Sequence, residues 1–145
     1  MNDMIRFILI ASAVAFAGET SVKMKDLPLA VQKTVEEQTR GAQIKGLSKE
    51  IEKGTTTYEV ETMLNGKARD LLIDSTGALV SVEEPVAIDA IPVAAKAAIE
   101  KLAAGGKIKS VESVTKGPTV SYEAVIVKGL KKSEVVVGAD GSIQK

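Results

Sequence analysis

Several residue types that carry common chemistry are missing from this chain of 145 residues, which has no Cys, no His and no Trp. Without cysteine the chain has no disulfide, no thiolate metal site and no lipidated cysteine. Without histidine it lacks the usual general base, zinc ligand and pH switch. Four aromatic residues remain, namely Phe7, Phe16, Tyr58 and Tyr122. Because this set is too small to stack nucleic acid bases, we expect no nucleic acid partner, and we also expect no metal and no cofactor.

The first 17 residues have the pattern of a secretory signal peptide. Arg6 and the terminal amine give a positive start, an apolar stretch follows, and Ala15-Phe16-Ala17 supplies the small residues that signal peptidase accepts. The apolar stretch is shorter than the roughly 20 residues that a membrane-spanning helix needs. We therefore predict a signal peptide at residues 1–17 that is cleaved before Gly18, a periplasmic or secreted protein, and no membrane span after cleavage.

Much of the remaining sequence recurs after an offset of 64 residues, without a gap. Identical pairs include Pro28 with Pro92, Gly41 with Gly105, Tyr58 with Tyr122, Glu59 with Glu123, and Gly77 with Gly141. Such self-similarity is the signature of a duplicated structural unit. We predict two tandem repeats, at residues 18–84 and 85–145. Each is so small that its own core would be marginal, and we expect the two to pack together.

Each copy has the pattern of one helix followed by four strands. In the first copy Val31 and Val35 form an apolar stripe with helical spacing, after which the apolar residues alternate as they do in strands. The pair Asn65-Gly66 is the strongest hairpin signal, because both residues accept the positive φ of a type I′ turn. The predicted fold is α+β, with two tandem repeats that each pack one helix on a four-stranded antiparallel sheet.

These motifs, in this order and twice over, resemble the PepSY-like domains, which are related in fold to the β-lactamase inhibitor proteins. The matching stretches are Leu27-Pro28, Tyr58-Glu59-Val60, Gly66-Lys67, Leu72-Ile73-Asp74-Ser75-Thr76-Gly77, Ile91-Pro92, Tyr122-Glu123-Ala124 and Asp140-Gly141. The resemblance implies an exported bacterial protein that binds other proteins, in some members as the inhibitory part of a protease precursor. It also implies no enzymatic activity, since the family has no shared catalytic residue to carry over.

Acidic residues on the second and third strands form a candidate site. Glu59 and Glu61 share one strand face, and Asp70 or Asp74 is expected across the hairpin. Such a group of carboxylates could hold calcium or act as a general acid and base. A solvated strand face would show the same residues, and our interpretation favours this simpler alternative.

A second candidate is the sheet face that points away from the helices. Its residues are Val125, Val127, Val136, Glu59, Glu61 and Met63. In the second copy this face is unusually apolar for solvent. Either it binds a partner, as contiguous apolar patches tend to do, or it is an interface between the repeats.

The sequence favours a non-enzymatic exported binding module of PepSY-like type. We expect its partner to be another protein or a peptide, bound through a sheet face or an edge strand, and such binding would inhibit or regulate a secreted or periplasmic protein such as a protease. The alternative is a structural or oligomeric envelope protein with no dedicated ligand. The sequence does not indicate the oligomeric state.

Overall fold

The computed structural model describes residues 19–144, with the side chain of Glu52 left aside. Two α-helices and nine strands follow one another along the chain, with a short 3-10 helix before each α-helix. The first part contains β1 (Glu19–Ser21), a 3-10 helix (Met24–Asp26), α1 (Leu29–Gln38), β2 (Gln43–Glu52), β3 (Thr55–Leu64), β4 (Lys67–Asp74) and β5 (Leu79–Pro85). The second part contains a 3-10 helix (Ile88–Ala90), α2 (Val93–Leu102), β6 (Lys107–Lys116), β7 (Thr119–Lys128), β8 (Lys131–Gly138) and β9 (Ile143–Gln144).

The nine strands form one antiparallel sheet in chain order, from β1 to β9. The predicted fold of two tandem repeats, each packing one helix on a four-stranded antiparallel sheet, is therefore wrong. The sheet continues because β5 pairs with β6, from Val82 opposite Thr115 to Pro85 opposite Glu112. This pairing satisfies backbone groups that would otherwise be left unpaired at two sheet edges. Strand β1, which the sequence did not indicate, pairs with β2.

The described chain divides into two compact units. The first unit comprises residues 19–85 and 112–120, and the second comprises residues 86–111 and 121–144. The predicted domain division into residues 18–84 and 85–145 stays a prediction. The predicted signal peptide lies outside the described residues.

The core of the first unit lies between α1 and one face of the sheet. Val31 and Val35 of α1 are completely buried, and they belong to one cluster with Tyr58 and Val60 of β3. The rest of this cluster is Leu27, Leu71 and Ile73. Tyr58 and Val60 therefore face the helix. Since side chains alternate along a strand, Glu59 and Glu61 point to the other face, which we call the helix-free face of this unit.

The second unit has the same kind of core. Ala95 and Ile99 of α2 are completely buried in a cluster with Ala124 of β7 and Val137 of β8. Val111 of β6 and Ile91 complete the buried part of the cluster. Ala95, Ala124 and Val137 stand 64 positions after Val31, Val60 and Ile73.

Two tight turns fix the strands in the first unit. Asn65 and Gly66 have φ values of 51° and 78°, so the predicted β3–β4 hairpin turn is confirmed. Gly77, in the β4–β5 turn, lies directly against α1, since a Cβ atom placed there would come within 2.6 Å of the Ala30 carbonyl oxygen. The Thr34 hydroxyl donates a hydrogen bond of 2.5 Å to the Gly77 carbonyl oxygen. The turn therefore holds the strands in place relative to the helix.

Candidate functional site

The helix-free face of the first unit brings together four carboxyl groups from three neighbouring strands. Glu61 of β3 lies opposite Asp70 of β4, and Asp70 lies opposite Glu83 of β5. Glu59 lies two residues before Glu61 on the same face of β3. Side chains directly opposite each other in a sheet have Cβ atoms about 5 Å apart, so like charges there repel. We call Glu59, Glu61, Asp70 and Glu83 the acidic cluster.

Burial makes the charges of this cluster costly. Glu59 is only 9% exposed, and desolvation, followed by the negative charges of Asp70 and Glu61, raises its pKa to about 9. Desolvation also raises the pKa of Asp70 to about 6, although the Thr62 amide donates a hydrogen bond of 3.3 Å to Asp70 Oδ1. Desolvation and the charge of Glu112 raise the pKa of Glu83 to about 7. The cluster therefore holds protons that ordinary carboxyl groups release below neutrality.

Local packing leaves room for the carboxyl group of Glu61. Its partner across the β2–β3 pair is Gly46, and a Cβ atom at that position would lie 3.2 Å from Glu61 Oε2. A larger residue would push this carboxyl group aside. Glu59 accepts a weak hydrogen bond of 3.5 Å from the Ser48 hydroxyl. The two neighbouring residues on β2 thus accommodate the two glutamates of β3.

Basic side chains compensate the cluster only in part. The positive charge of Lys116 on β6 lowers the pKa of Glu83, but the combined effect of burial and neighbouring acids still raises it to about 7. Arg69 is directed elsewhere, since its Nε lies 3.6 Å from Glu84 Oε1 and its Nη1 donates to the Gln38 carbonyl oxygen. The acidic cluster therefore keeps more negative than positive groups when its carboxyls are ionised.

Ser81 adds a hydroxyl group to the same face. It lies opposite Leu72, which shares a strand face with Asp70, and it stands two residues before Glu83 on β5. Ser81 is 1% exposed, and its Oγ has no hydrogen-bond partner among residues 19–144. A buried hydroxyl without a partner is unusual in a folded protein, because it costs free energy. Ser81 Oγ is therefore an unsatisfied polar atom on the same strand face as the carboxyl groups.

The structure brings together three of the four acids that the sequence proposed as a cluster. Asp74 instead caps the β4–β5 turn, where its Oδ1 accepts hydrogen bonds from the Thr76 amide at 2.8 Å and the Thr76 hydroxyl at 2.6 Å. These bonds lower the pKa of Asp74. Glu83 takes its place in the cluster, and sequence reasoning missed it. The alternation of Val82 and Glu83 indicates that Glu83 points away from the core. It does not show that Glu83 lies beside Asp70, because that requires knowing that β5 pairs with β4.

The proposed calcium role of this cluster gains no support, and its acid–base role stays a hypothesis. Within the described part of the chain, no three acidic side chains are arranged to hold a metal ion. The four carboxyls are therefore better described as a crowded acidic surface than as a metal site.

The helix-free face of the second unit carries the valines of the predicted binding or inter-repeat face. Val125 is 1% exposed, whereas Val127 and Val136 are partly buried. Val125 lies opposite Glu134, and Val136 lies opposite Glu123. This face is thus less purely apolar than the sequence suggested. In the first unit, Met63 is partly buried beside Glu61 on β3. The binding role of these six residues stays a prediction.

The fold belongs to a known structural class. No protein-family model matches the sequence, and the search of curated proteins finds no match. Solved structures do match. A BLIP-like protein from Bacteroides fragilis, named for the β-lactamase inhibitor protein, superimposes with a TM-score of 0.60 at 15% identity, over 82% of this chain and 84% of that one. The likeness to β-lactamase inhibitor proteins is thus confirmed at the level of fold.

Two further structures share this fold. A DUF2874 family protein from Bacteroides uniformis has a TM-score of 0.65 at 17% identity, over 81% of this chain and 86% of that one. A candidate periplasmic protein from Bacteroides eggerthii has a TM-score of 0.67 at 16% identity, over 82% of this chain and 86% of that one. None of the helices in residues 19–144 has the length and apolar character needed to span a membrane.

Proposed function

We propose that this chain is a non-enzymatic, exported binding module whose partner is another protein, bound on the helix-free face of the first unit. The observation that carries this proposal is the acidic cluster. Glu59, Asp70 and Glu83 have raised pKa values because burial and mutual repulsion oppose their ionisation. Groups with strongly shifted pKa values are concentrated at functional sites, and the free energy that they cost the folded state is recovered when a partner neutralises them.

The sheet edges favour a face over an edge as the binding surface. Strand β1 has three residues and β9 has two, and they form the two edges of the sheet. Very short edge strands are a means by which proteins prevent pairing with another chain. An extended peptide would find few backbone groups on β1 and β9 themselves, although residues 131–135 of β8 extend beyond β9. We assign the partner to a face because the acidic cluster lies on a face.

The wider setting comes from the fold neighbours. The candidate periplasmic description of one of them agrees with the predicted periplasmic or secreted location. The BLIP-like protein is named for the β-lactamase inhibitor protein. On this basis we propose that the chain, as a PepSY-like module, inhibits or regulates a secreted or periplasmic protein such as a protease.

Partner capture tests this proposal. The chain, immobilised without residues 1–17, would be incubated with a periplasmic extract of the source bacterium, and bound proteins would be quantified by mass spectrometry. We expect one saturable partner that is captured by the wild type and by Glu84→Gln, but lost with the double variant Asp70→Asn, Glu83→Gln. Glu84 is the matched control, because it is the next residue on β5 and points to the opposite face. Equal capture by both variants would contradict the proposal.

A further inference from the structure

Three polar residues are neighbours on one face of the acidic cluster. Asp70 and Glu83 lie opposite each other on β4 and β5, and Ser81 is the diagonal neighbour of Asp70 on the same face. Asp70 and Glu83 are partly exposed, whereas Ser81 is almost completely buried. The two acidic residues are therefore partly accessible to solvent, and Ser81 is the buried polar residue next to them on the same face.

The Ser81 hydroxyl is the observation that points to a ligand. Its Oγ has no hydrogen-bond partner among the described residues, although the side chain is 99% buried. An unsatisfied buried polar group costs about 1–3 kcal/mol, and a ligand that supplies a hydrogen bond recovers this free energy. Since carboxylates accept hydrogen bonds and do not donate them, a ligand that donates to all three groups satisfies the whole site.

The surroundings define the charge of that ligand. Glu59 and Glu61 of β3 and Glu112 of β6 add negative charge around Asp70 and Glu83, and Lys116 is the basic group whose charge acts on Glu83. Lys116 lowers the pKa of Glu83, but desolvation and the neighbouring acids Glu112 and Asp70 still raise it to about 7. A positive charge at this position would be attracted by the carboxylates of Asp70 and Glu83 once these are ionised.

An ammonium group fits the site better than the other common cations. In the described part of the chain no three acids are placed to bind a metal ion. The guanidinium of arginine is a planar fork suited to a single carboxylate, whereas the ammonium of lysine presents three donors around a point charge. Two carboxylates and one hydroxyl offer one acceptor group for each of the three donors of a lysine ammonium.

We propose that Asp70, Glu83 and Ser81 form a receptor site for a lysine side chain of the protein partner, with its ammonium group donating hydrogen bonds to both carboxylates and to Ser81 Oγ. This inference rests on the proposed function, because it names the chemistry by which the partner is recognised. It goes further in assigning a role to Ser81 and in specifying one side chain of the partner.

A small peptide tests the site without knowledge of the partner. The probe is acetyl-Gly-Gly-Lys-Gly-Gly-amide, titrated into the chain lacking residues 1–17 at pH 8 and low salt, with carbon-13 signals of the side-chain carboxyls as the readout. We expect saturable shifts of Asp70 and Glu83, because the peptide ammonium approaches both groups. The same peptide with norleucine in place of lysine should leave these signals unchanged. Equal shifts with norleucine, or with sodium chloride at matched ionic strength, would overturn the proposal.

Variants of the chain sharpen this test. Glu83→Gln and Asp70→Asn should each lower the affinity for the lysine peptide about tenfold, as expected for loss of a hydrogen bond between charged groups. Ser81→Ala should weaken it about threefold with no change of charge, while the control Glu84→Gln should match the wild type. All these variants are expected to fold, since three of them remove a charge and the fourth removes an unsatisfied hydroxyl. Unchanged affinity in Ser81→Ala and Glu83→Gln would contradict the site.

Calcium chloride provides the competing case. If calcium shifts the carboxyl signals of Asp70 and Glu83 at lower concentration than the peptide and displaces it, the site is a metal site and the proposal is wrong. Failure of the lysine site is distinguishable from failure of the proposed function. A partner captured through the acidic cluster without any effect of the lysine peptide would overturn the lysine site alone. If the lysine peptide binds at Asp70 and Glu83 but partner capture is unchanged when these residues are substituted, only the proposed function is overturned.

Discussion

The helix-free faces of the two units differ although their cores are alike. Val125 stands 64 positions after Glu61 and is therefore its equivalent in the second unit. Val125 is a buried apolar residue, whereas Glu61 is part of the acidic cluster. The helix side of each sheet keeps its apolar character, with Ile73 and Val137 both completely buried. A folded core constrains the inner face, because each lost methylene costs free energy. The helix-free faces are free to diverge, and the difference between them is the reason that we place the proposed recognition on the first unit.

Exchanging the residue types at Glu61 and Val125, which are equivalent positions on the two helix-free faces, should have opposite effects on stability. Val125→Glu should destabilise the fold by about 4 kcal/mol, the scale of an uncompensated buried charge, because Glu134 lies opposite and Glu123 lies two residues away. Glu61→Val should be neutral or stabilising, since it removes one carboxyl from the acidic cluster. Urea unfolding at pH 7 would measure both. A similar loss in the two variants would show that the faces do not differ in this way.

Truncation of the core should affect both units, since their helix-facing sides are alike. Ile73→Ala should cost about 3 kcal/mol and Val137→Ala about 2 kcal/mol, because both side chains are completely buried and leave cavities. The control is Ile51→Ala, at a residue that is 54% exposed, where we expect less than about 0.5 kcal/mol. Chemical denaturation gives these differences directly. If only one of the two variants, Ile73→Ala or Val137→Ala, lost stability, the two cores would not be equivalent.

The turn that docks on α1 should be more sensitive than a turn in solvent. Gly77→Ala should cost about 2 kcal/mol, because φ is 88° and the added Cβ would meet the Ala30 carbonyl oxygen. Gly141→Ala should behave alike in the second unit, where the Cβ would meet Ala94. Gly66→Ala is the control, since φ is 78° but nothing lies within 4 Å, and we expect only about 1 kcal/mol. Thermal melts would rank the three, and a larger loss at Gly66 would refute the docking.

The acidic cluster should make the fold less stable as pH rises. Glu59, Asp70 and Glu83 have pKa values that are higher in the folded protein than in the unfolded chain, so the folded state binds more protons. The protonated carboxyl groups contribute their full stabilisation below about pH 4, where the folded and the unfolded chain are both protonated. This stabilisation is lost as the pH rises through about 6, 7 and 9, where the groups ionise in the folded protein.

We expect a loss of about 2 kcal/mol between pH 5 and pH 9, less than the separate shifts would sum to because the carboxyls share protons. Glu83→Gln should be more stable than the wild type at pH 9 and show a shallower decline. Glu84→Gln, on the other face of β5, should follow the wild-type profile. Urea unfolding across this pH range measures the effect, and a rise in wild-type stability with pH would contradict it.

Local features of the fold could be predicted from the sequence, whereas long-range pairing could not. Asn65-Gly66 specifies its own turn, and the alternation around Tyr58 shows which residues face α1, because both signals are contained in neighbouring residues. The β5–β6 pairing joins segments about 30 residues apart, and the sequence of neither strand indicates which strand it pairs with. For the same reason Glu59 and Glu61 could be placed on one face, but Glu83 could not be placed beside Asp70.

The most direct test of the acidic cluster is a carbon-13 titration of the side-chain carboxyl groups in the chain lacking residues 1–17. The account predicts that Glu59, Asp70 and Glu83 titrate well above the usual carboxyl range, with Glu83 near pH 7 and Asp70 near pH 6. Asp74 and Asp140, held by hydrogen bonds in turns, should have pKa values below their usual range. If Glu59 and Glu83 titrate near 4.3 like ordinary glutamates, the acidic cluster is not crowded and the assigned binding face is wrong.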